Sequence, residues 1–325
     1  MKNLAFVFFL GFLIITLNSC DDQVEPKTDF SQVYTLNCII RTDSSFQVAT
    51  ITRSYNVDGY DPYTNTDDPF IKGAKVRIYY NNNVYNLKDT SIARSADSRY
   101  KAPINFYYTK NLFPQHSLPI RIEAELPNGK VLSSSGEIIS PNTLYLYSSS
   151  PSIPSLNPTS RINFNWGELG LIYRTKGVYY APELAILYTH EKDGVKTNYQ
   201  KKVAMYYIPG SPDKQPVYPQ IQTNILSAGF EIDAITRAME EISSGDPNKK
   251  NYRIEKAFFR LLAMDAGLAT FYSAQKIFLD EFSVRLNQPE ITNITGGLGV
   301  FGTYTIKNIE LEIQPAFIES FGYRY

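Results

Sequence analysis

The chain has 325 residues with 32 Lys and Arg against 32 Asp and Glu, a formal charge of zero. No basic stripe gathers in it, which excludes nucleic acid as an expected partner, because a phosphate backbone is bound by concentrated positive charge. Two cysteines exclude a disulfide framework, and two histidines with neither an H-E-x-x-H nor a G-x-S-x-G sequence argue against a zinc helix or a nucleophile turn.

The chain opens with a signal peptide, residues 1–19. Lys2 supplies the positive start, and Leu4 to Leu17 form an apolar run shorter than the about 20 residues that a membrane-crossing helix needs. Behind it, Leu17-Asn18-Ser19-Cys20 resembles the lipobox of bacterial lipoproteins. The resemblance implies cleavage before Cys20 and acylation of its thiol and new amino group, so the membrane is the first expected partner. At about 0.8 kcal/mol per buried methylene, two or three acyl chains hold durably. Residues 20–30 read as a lipidated tether whose Asp21, Asp22 and Glu25 resemble the surface-export signal of Bacteroidetes lipoproteins. About ten residues reach no more than roughly 33 Å, so the folded body is expected to stay beside the bilayer.

A mainly β protein is expected beyond the tether, with two β-sandwich-like domains. Residues 31–147 predict the first, of immunoglobulin-like or transthyretin-like type: runs at 33–36, 46–51, 74–79 and 120–126 alternate apolar and polar side chains. Pro127-Asn128-Gly129 between extended runs signals a hairpin. Cys38, within Leu36-Asn37-Cys38-Ile39-Ile40, reads as a small buried hydrophobe. Asp58, Asp61, Asp67 and Asp68 make one loop oxygen-rich enough to hold calcium, but without EF-hand spacing; a solvated loop is the expectation, and no metal or cofactor is assigned. The pairs Tyr79-Tyr80, Tyr107-Tyr108, Tyr179-Tyr180 and Tyr206-Tyr207 should each place one ring inside and one outside.

Pro151, Pro154 and Pro158 among serines mark 148–160 as a linker. Residues 161–325 predict a second β-rich domain with one or two short helices. It opens at 162–166 with Trp166, the single tryptophan, expected in the core. Extended runs at 179–190 and 196–208 flank a hairpin at Glu191-Lys192-Asp193-Gly194. Phe230, Ile232, Ile235, Met239 and Ile242 recur at helical spacing before Gly245, and residues 268–279 suggest another helix with Asp265 as its cap. Residues 304–313 return to strand alternation. Lys201-Lys202 and Lys249-Lys250 are expected at strand ends or turns, and His116 and His190 on exposed turns. Gly297-Leu298-Gly299-Val300-Phe301-Gly302 spells G-x-G-x-x-G, but a strand is expected to follow it where a dinucleotide loop needs a helix.

Three stretches carry a family resemblance: 46–55, then 69–76, and above all Asn293-Ile294-Thr295-Gly296-Gly297-Leu298-Gly299-Val300-Phe301-Gly302. They resemble the Bacteroidetes lipoproteins grouped as domain of unknown function 4249. The resemblance implies an outer-membrane lipoprotein that works alongside TonB-dependent β-barrel receptors, and it carries over no catalytic residue. The expected function is therefore a non-catalytic accessory subunit docking on a barrel partner in uptake or assembly. A surface glycan- or peptide-binding lipoprotein acting alone is one alternative, and a carboxylate-dependent hydrolase is another.

Overall fold

The computed structural model describes residues 29–57, 59, 61, 64–96, 98, 102–154, 160–169, 177–210, 215–223, 225–277 and 291–325. Residues 1–28, which hold the expected signal peptide, Cys20 and most of the expected tether, lie outside the described residues. Strand accounts for 51% and helix for 11%, so the fold is mainly β and sandwich-like, as expected from the alternation.

The first half contributes β1 (Tyr34–Arg41), β2 (Gln47–Arg53), β3 (Lys75–Tyr80), β4 (Asn83–Asn86), β5 (Lys88–Ile92), β6 (Ile104–Thr109), β7 (Pro119–Glu125) and β8 (Val131–Glu137). Then come β9 (Leu144–Ser148), β10 (Ser152–Ile153), β11 (Arg161–Glu168), β12 (Tyr179–Lys192), β13 (Val195–Val203), β14 (Tyr206–Tyr207), β15 (Pro216–Val217) and β16 (Ser227–Glu231). Helix α1 (Ile232–Ile242), β17 (Tyr252–Met264), α2 (Ala266–Ile277), β18 (Leu298–Ile313) and α3 (Pro315–Ser320) complete the order.

One large sheet runs β13-β12-β17-β18-β1-β2-β6-β5, with β10 added on β18. The four-stranded sheet β4-β3-β7-β8 packs on its N-terminal end around Leu36, Ile40, Ile51, Ile78, Ile122 and Leu132. The three-stranded sheet β16-β11-β9 and the apolar stripe of α1 pack on its other end around Phe164, Trp166, Phe230, Ile235, Met239 and Phe259. On the opposite face of the large sheet α2 seats Leu268 and Ala269 with Met264 and Val300. Alternation explains the inward sets: Leu36, Cys38 and Ile40 of β1 are buried on one side, and Ile39 packs with the α2 cluster on the other.

The two cores meet on β18, which gives Phe301 to the first and Leu311 and Ile313 to the second. Its N-terminal part pairs in parallel with β1, from Thr35 opposite Leu298 to Arg41 opposite Tyr304. A polar seam separates the cores: Thr303 Oγ1 donates to Glu137 O at 2.6 Å, Thr305 Oγ1 donates to Ile139 O, and the Thr42 and Thr305 hydroxyls lie 2.8 Å apart.

The structure draws the boundary expected at 148–160 differently. The cores change between Ile138 and Ile139, and the large sheet crosses between the halves without a break. Ser150, Ser152 and Ile153 are buried, and β10 pairs with Glu312 and Ile313, so this part of the segment is packed chain and not a free linker. Residues 155–159 lie outside the described residues.

Turn chemistry performs as expected. Gly129 N donates to Leu126 O and Leu126 N to Lys130 O, closing the first hairpin. Asp193 and Gly194 both have positive φ, 53° and 76°, as a two-residue loop of the strand-matching hand requires. The run expected at 196–208 breaks at Ala204, where the chain leaves β13 for a separate short ladder of β14 with β15.

Candidate functional site

The glycine-rich run folds as a crossing. Gly296 turns the chain with φ +85°, and Leu298 opens a 16-residue strand, so the run leads into a strand and not into a helix, and it lacks the nucleotide-loop geometry. Ser133 and Thr295 exchange backbone hydrogen bonds of 3.1 and 2.8 Å, which covers the edge of β8. Asn293 imitates a paired strand residue: Nδ2 donates to Phe301 O at 2.6 Å, and Oδ1 accepts from Phe301 N at 2.9 Å. Asn37 Oδ1 accepts from Val300 N at 3.1 Å. The backbones approach closely enough that an added Cβ would lie 2.4 Å from Tyr34 O at Gly297 and 2.1 Å from Leu36 O at Gly299.

Asp265 caps α2, as its place before the helix predicts. Its Oδ1 accepts from Leu268 N at 2.9 Å and its Oδ2 from Thr303 N at 3.0 Å, so one carboxylate ties helix to central strand. Burial pushes this carboxyl up from 3.8 to about 6, outweighing the donors that favour the anion. The folded chain then holds this proton more tightly than the unfolded chain. The stability it contributes is full below the unfolded value and is lost as pH rises through the folded one. Between about pH 5 and about pH 7 the wild type should therefore lose roughly 1 kcal/mol more in urea unfolding than Asp265→Asn, which cannot titrate. Parallel pH profiles for the two proteins would contradict the assignment.

Other residues singled out by sequence are dispersed. Asp58 lies outside the described residues. Asp61 and Asp67 are exposed, whereas Asp68 accepts from Asn105 Nδ2 at 3.0 Å and pairs with Arg94 at 3.5 Å. Among the described residues no group of three His, Cys, Asp or Glu side chains is placed to hold a metal ion. Cys38 is buried, and burial drives its thiol up to about 12, so it stays protonated. His116 is exposed. His190 departs from the turn expected of it: it lies within β12, half-buried, with its ring stacked on Tyr252 at 4.3 Å. Lys201 and Lys202 sit on edge strand β13 and pair with Glu241 and Glu183, while Lys249 and Lys250 sit in a single 3-10 turn. Three tyrosine pairs split as alternation requires, Tyr80, Tyr107 and Tyr180 being buried and Tyr79, Tyr108 and Tyr179 less so, whereas in the fourth Tyr206 is exposed and Tyr207 only half-buried.

Two of the concave surfaces among the described residues bear on binding. A groove of about 630 Å³ runs past the β3–β4 turn between Tyr79, Val84 and Arg121. The Arg121 guanidinium lies 4.0 Å over the Tyr79 ring, and Arg121 pairs with Glu123 at 2.8 Å and Arg77 with Glu123 at 3.0 Å. Its charges are thus largely matched within the protein. The second is a pocket of about 110 Å³ where β11, β12 and the β14–β15 hairpin meet, lined by Trp166, Tyr180, Pro182, Met205, Pro219 and Ile225 with Gln220, Gln222 and Ser227.

This second place combines features that the first lacks. Trp166 is 2% exposed, and its Nε1 has no hydrogen-bond partner among the described residues. Beside the pocket the hairpin exposes Tyr206, Ile208 and Tyr218, with Ile225 at 49% exposed on the pocket wall. Tyr207 of the same hairpin is held down: Arg237 of α1 lies 4.6 Å over its ring, and Tyr207 Oη donates to Glu241. Sequence reasoning placed Trp166 in the core correctly but could not find the pocket, because the hairpin that walls it comes from a distant part of the chain.

Among the described residues no helix is long and apolar enough to cross a membrane. Compared with protein-family models and with curated proteins, the chain matches none.

Proposed function

We propose that this chain is an outer-membrane lipoprotein, anchored through Cys20, that acts as a non-catalytic accessory subunit and docks on a β-barrel partner of the TonB-dependent receptor type in uptake or assembly. The leader, the lipobox and the acidic residues behind it support the anchor and the surface location. The observation that carries the docking role is the set of exposed apolar side chains on one short hairpin, Tyr206, Ile208 and Tyr218, continued by Ile225. Tyrosine is enriched at protein interfaces because its ring buries much area and its hydroxyl keeps a polar contact, and apolar residues gathered at one place mark contact surfaces more than scattered ones do.

The test is purification in mild detergent from the native membrane. The wild type should bring a β-barrel protein with it, and the triple variant Tyr206→Ser, Ile208→Ser, Tyr218→Ser should recover about tenfold less, since a few central anchors dominate such contacts. Cys20→Ser should move the protein into the soluble fraction. Equal recovery of the barrel by the triple variant would remove the hairpin from the interface.

A glycan-binding protein acting alone is favoured by one other feature. Tyr145 and Tyr147 on edge strand β9 are exposed with rings 18° from parallel and centroids 6.4 Å apart, next to Asn165, which pairs with Tyr147. Retention on immobilised polysaccharide that is lost in Tyr147→Ala would support it.

A further inference from the structure

We propose that the pocket beneath the β14–β15 hairpin is a binding site for a neutral acyl amide group, whose carbonyl oxygen accepts the hydrogen bond of Trp166 Nε1–H. This stands on the pocket alone and does not depend on the membrane partner proposed above.

The argument starts from the orphaned donor. An indole nitrogen can only donate, and buried donors are nearly always paired; Trp166 Nε1 is buried without a partner among the described residues, and its side chain lines the pocket. The ligand must therefore present an acceptor. The lining residues carry no charge, so an anion would be desolvated without a counter-ion, which makes a neutral acceptor the compatible one. The walls formed by Pro182, Met205, Pro219 and Ile225 are apolar and suit a methyl or methylene group beside that acceptor. Gln222 adds a side-chain amide to the lining, and its backbone is fixed by paired hydrogen bonds with Tyr180, 2.8 and 3.0 Å; the Gln222 carbonyl group can accept from the N–H of an amide ligand.

Size narrows the choice. A cavity of about 150 Å³ accommodates benzene, so the about 110 Å³ here holds four or five heavy atoms by the same proportion. An acetamido group has a methyl, a carbonyl and an N–H within that number. Such a group is carried by N-acetylated sugars and by acylated peptides, and the pocket chemistry is the same for both.

The single tryptophan makes the test direct, because a protein labelled with nitrogen-15 at the indole gives one side-chain resonance, that of Trp166. The mature protein in mild detergent is titrated with N-acetylglucosamine and with N-acetylalaninamide, and in parallel with glucose and acetate. The acyl amides should shift the indole N–H resonance saturably with a millimolar dissociation constant, while glucose and acetate leave it in place; whichever amide binds more tightly identifies the source. Ile225→Glu, at an exposed wall position outside the core, should weaken the response by about tenfold or more. No saturable shift with either amide, an equal shift with glucose, or an unchanged response in Ile225→Glu would overturn the proposal.

Discussion

Gly299→Ala is expected to destabilise the protein by about 4 kcal/mol or more, a fall of roughly 6 °C or more in Tm for a chain of this size. Two costs combine at this position. Gly299 has φ +115°, a conformation that residues with a Cβ rarely adopt. The added methyl would also lie 2.1 Å from the Leu36 carbonyl oxygen and 2.8 Å from its carbon, and both are backbone atoms that cannot swing aside. Relief requires β18 to move off β1, which breaks the parallel ladder and unseats Phe301 from the first core. Gly245→Ala serves as the control: φ there is +84° with open space around the position, so conformational strain alone applies and a loss of about 1 kcal/mol is expected. Comparable urea midpoints for the two variants would show that the close approach carries no energy.

Phe259→Ala should cost about 3–5 kcal/mol. Phe259 is fully buried on β17 and stacks on Phe164 with centroids 3.9 Å apart at 6°. Trp166 and Phe230 lie at 6.0 Å from it, so its removal opens a cavity among three rings, two of them held on β11 and one on β16. Urea unfolding measures the loss, and the emission of the single tryptophan should shift to the red as its packed neighbour disappears. An unchanged emission maximum would contradict the contact, and a loss below about 1 kcal/mol would mean that the neighbouring rings collapse to fill the space.

β17 also shows where sequence reasoning stops. Strands such as β2 and β7 alternate cleanly and were legible. β17 lies between β12 and β18, and Ala257, Phe258 and Phe259 are buried in succession, so the period is interrupted in its middle and it escapes the alternation test. The capping role of Asp265 could be read from its place before an apolar run, whereas its second bond to Thr303 depends on a strand that arrives much later. The same holds for the parallel pairing of β1 with β18: Asn37 and the glycines are visible in sequence, but their meeting follows from tertiary structure. Residues 148–160 were read as a linker for a related reason, since their prolines and serines suit neither helix nor central strand, while Ser152 and Ile153 pair with the end of β18 and Ser150 is buried beside them.

Because β1 is flanked on one side by β18, a segment made long after it, the earliest folded part of the body waits for that strand. Until 298–313 emerges, β1 shows an unpaired backbone edge and the nascent first half lacks Phe301, while the second half lacks its middle partner between β17 and β1. Premature termination before residue 298 should therefore yield a chain that fails as a whole rather than a stable N-terminal half, and a holdase that shields strand edges would be most useful in that interval.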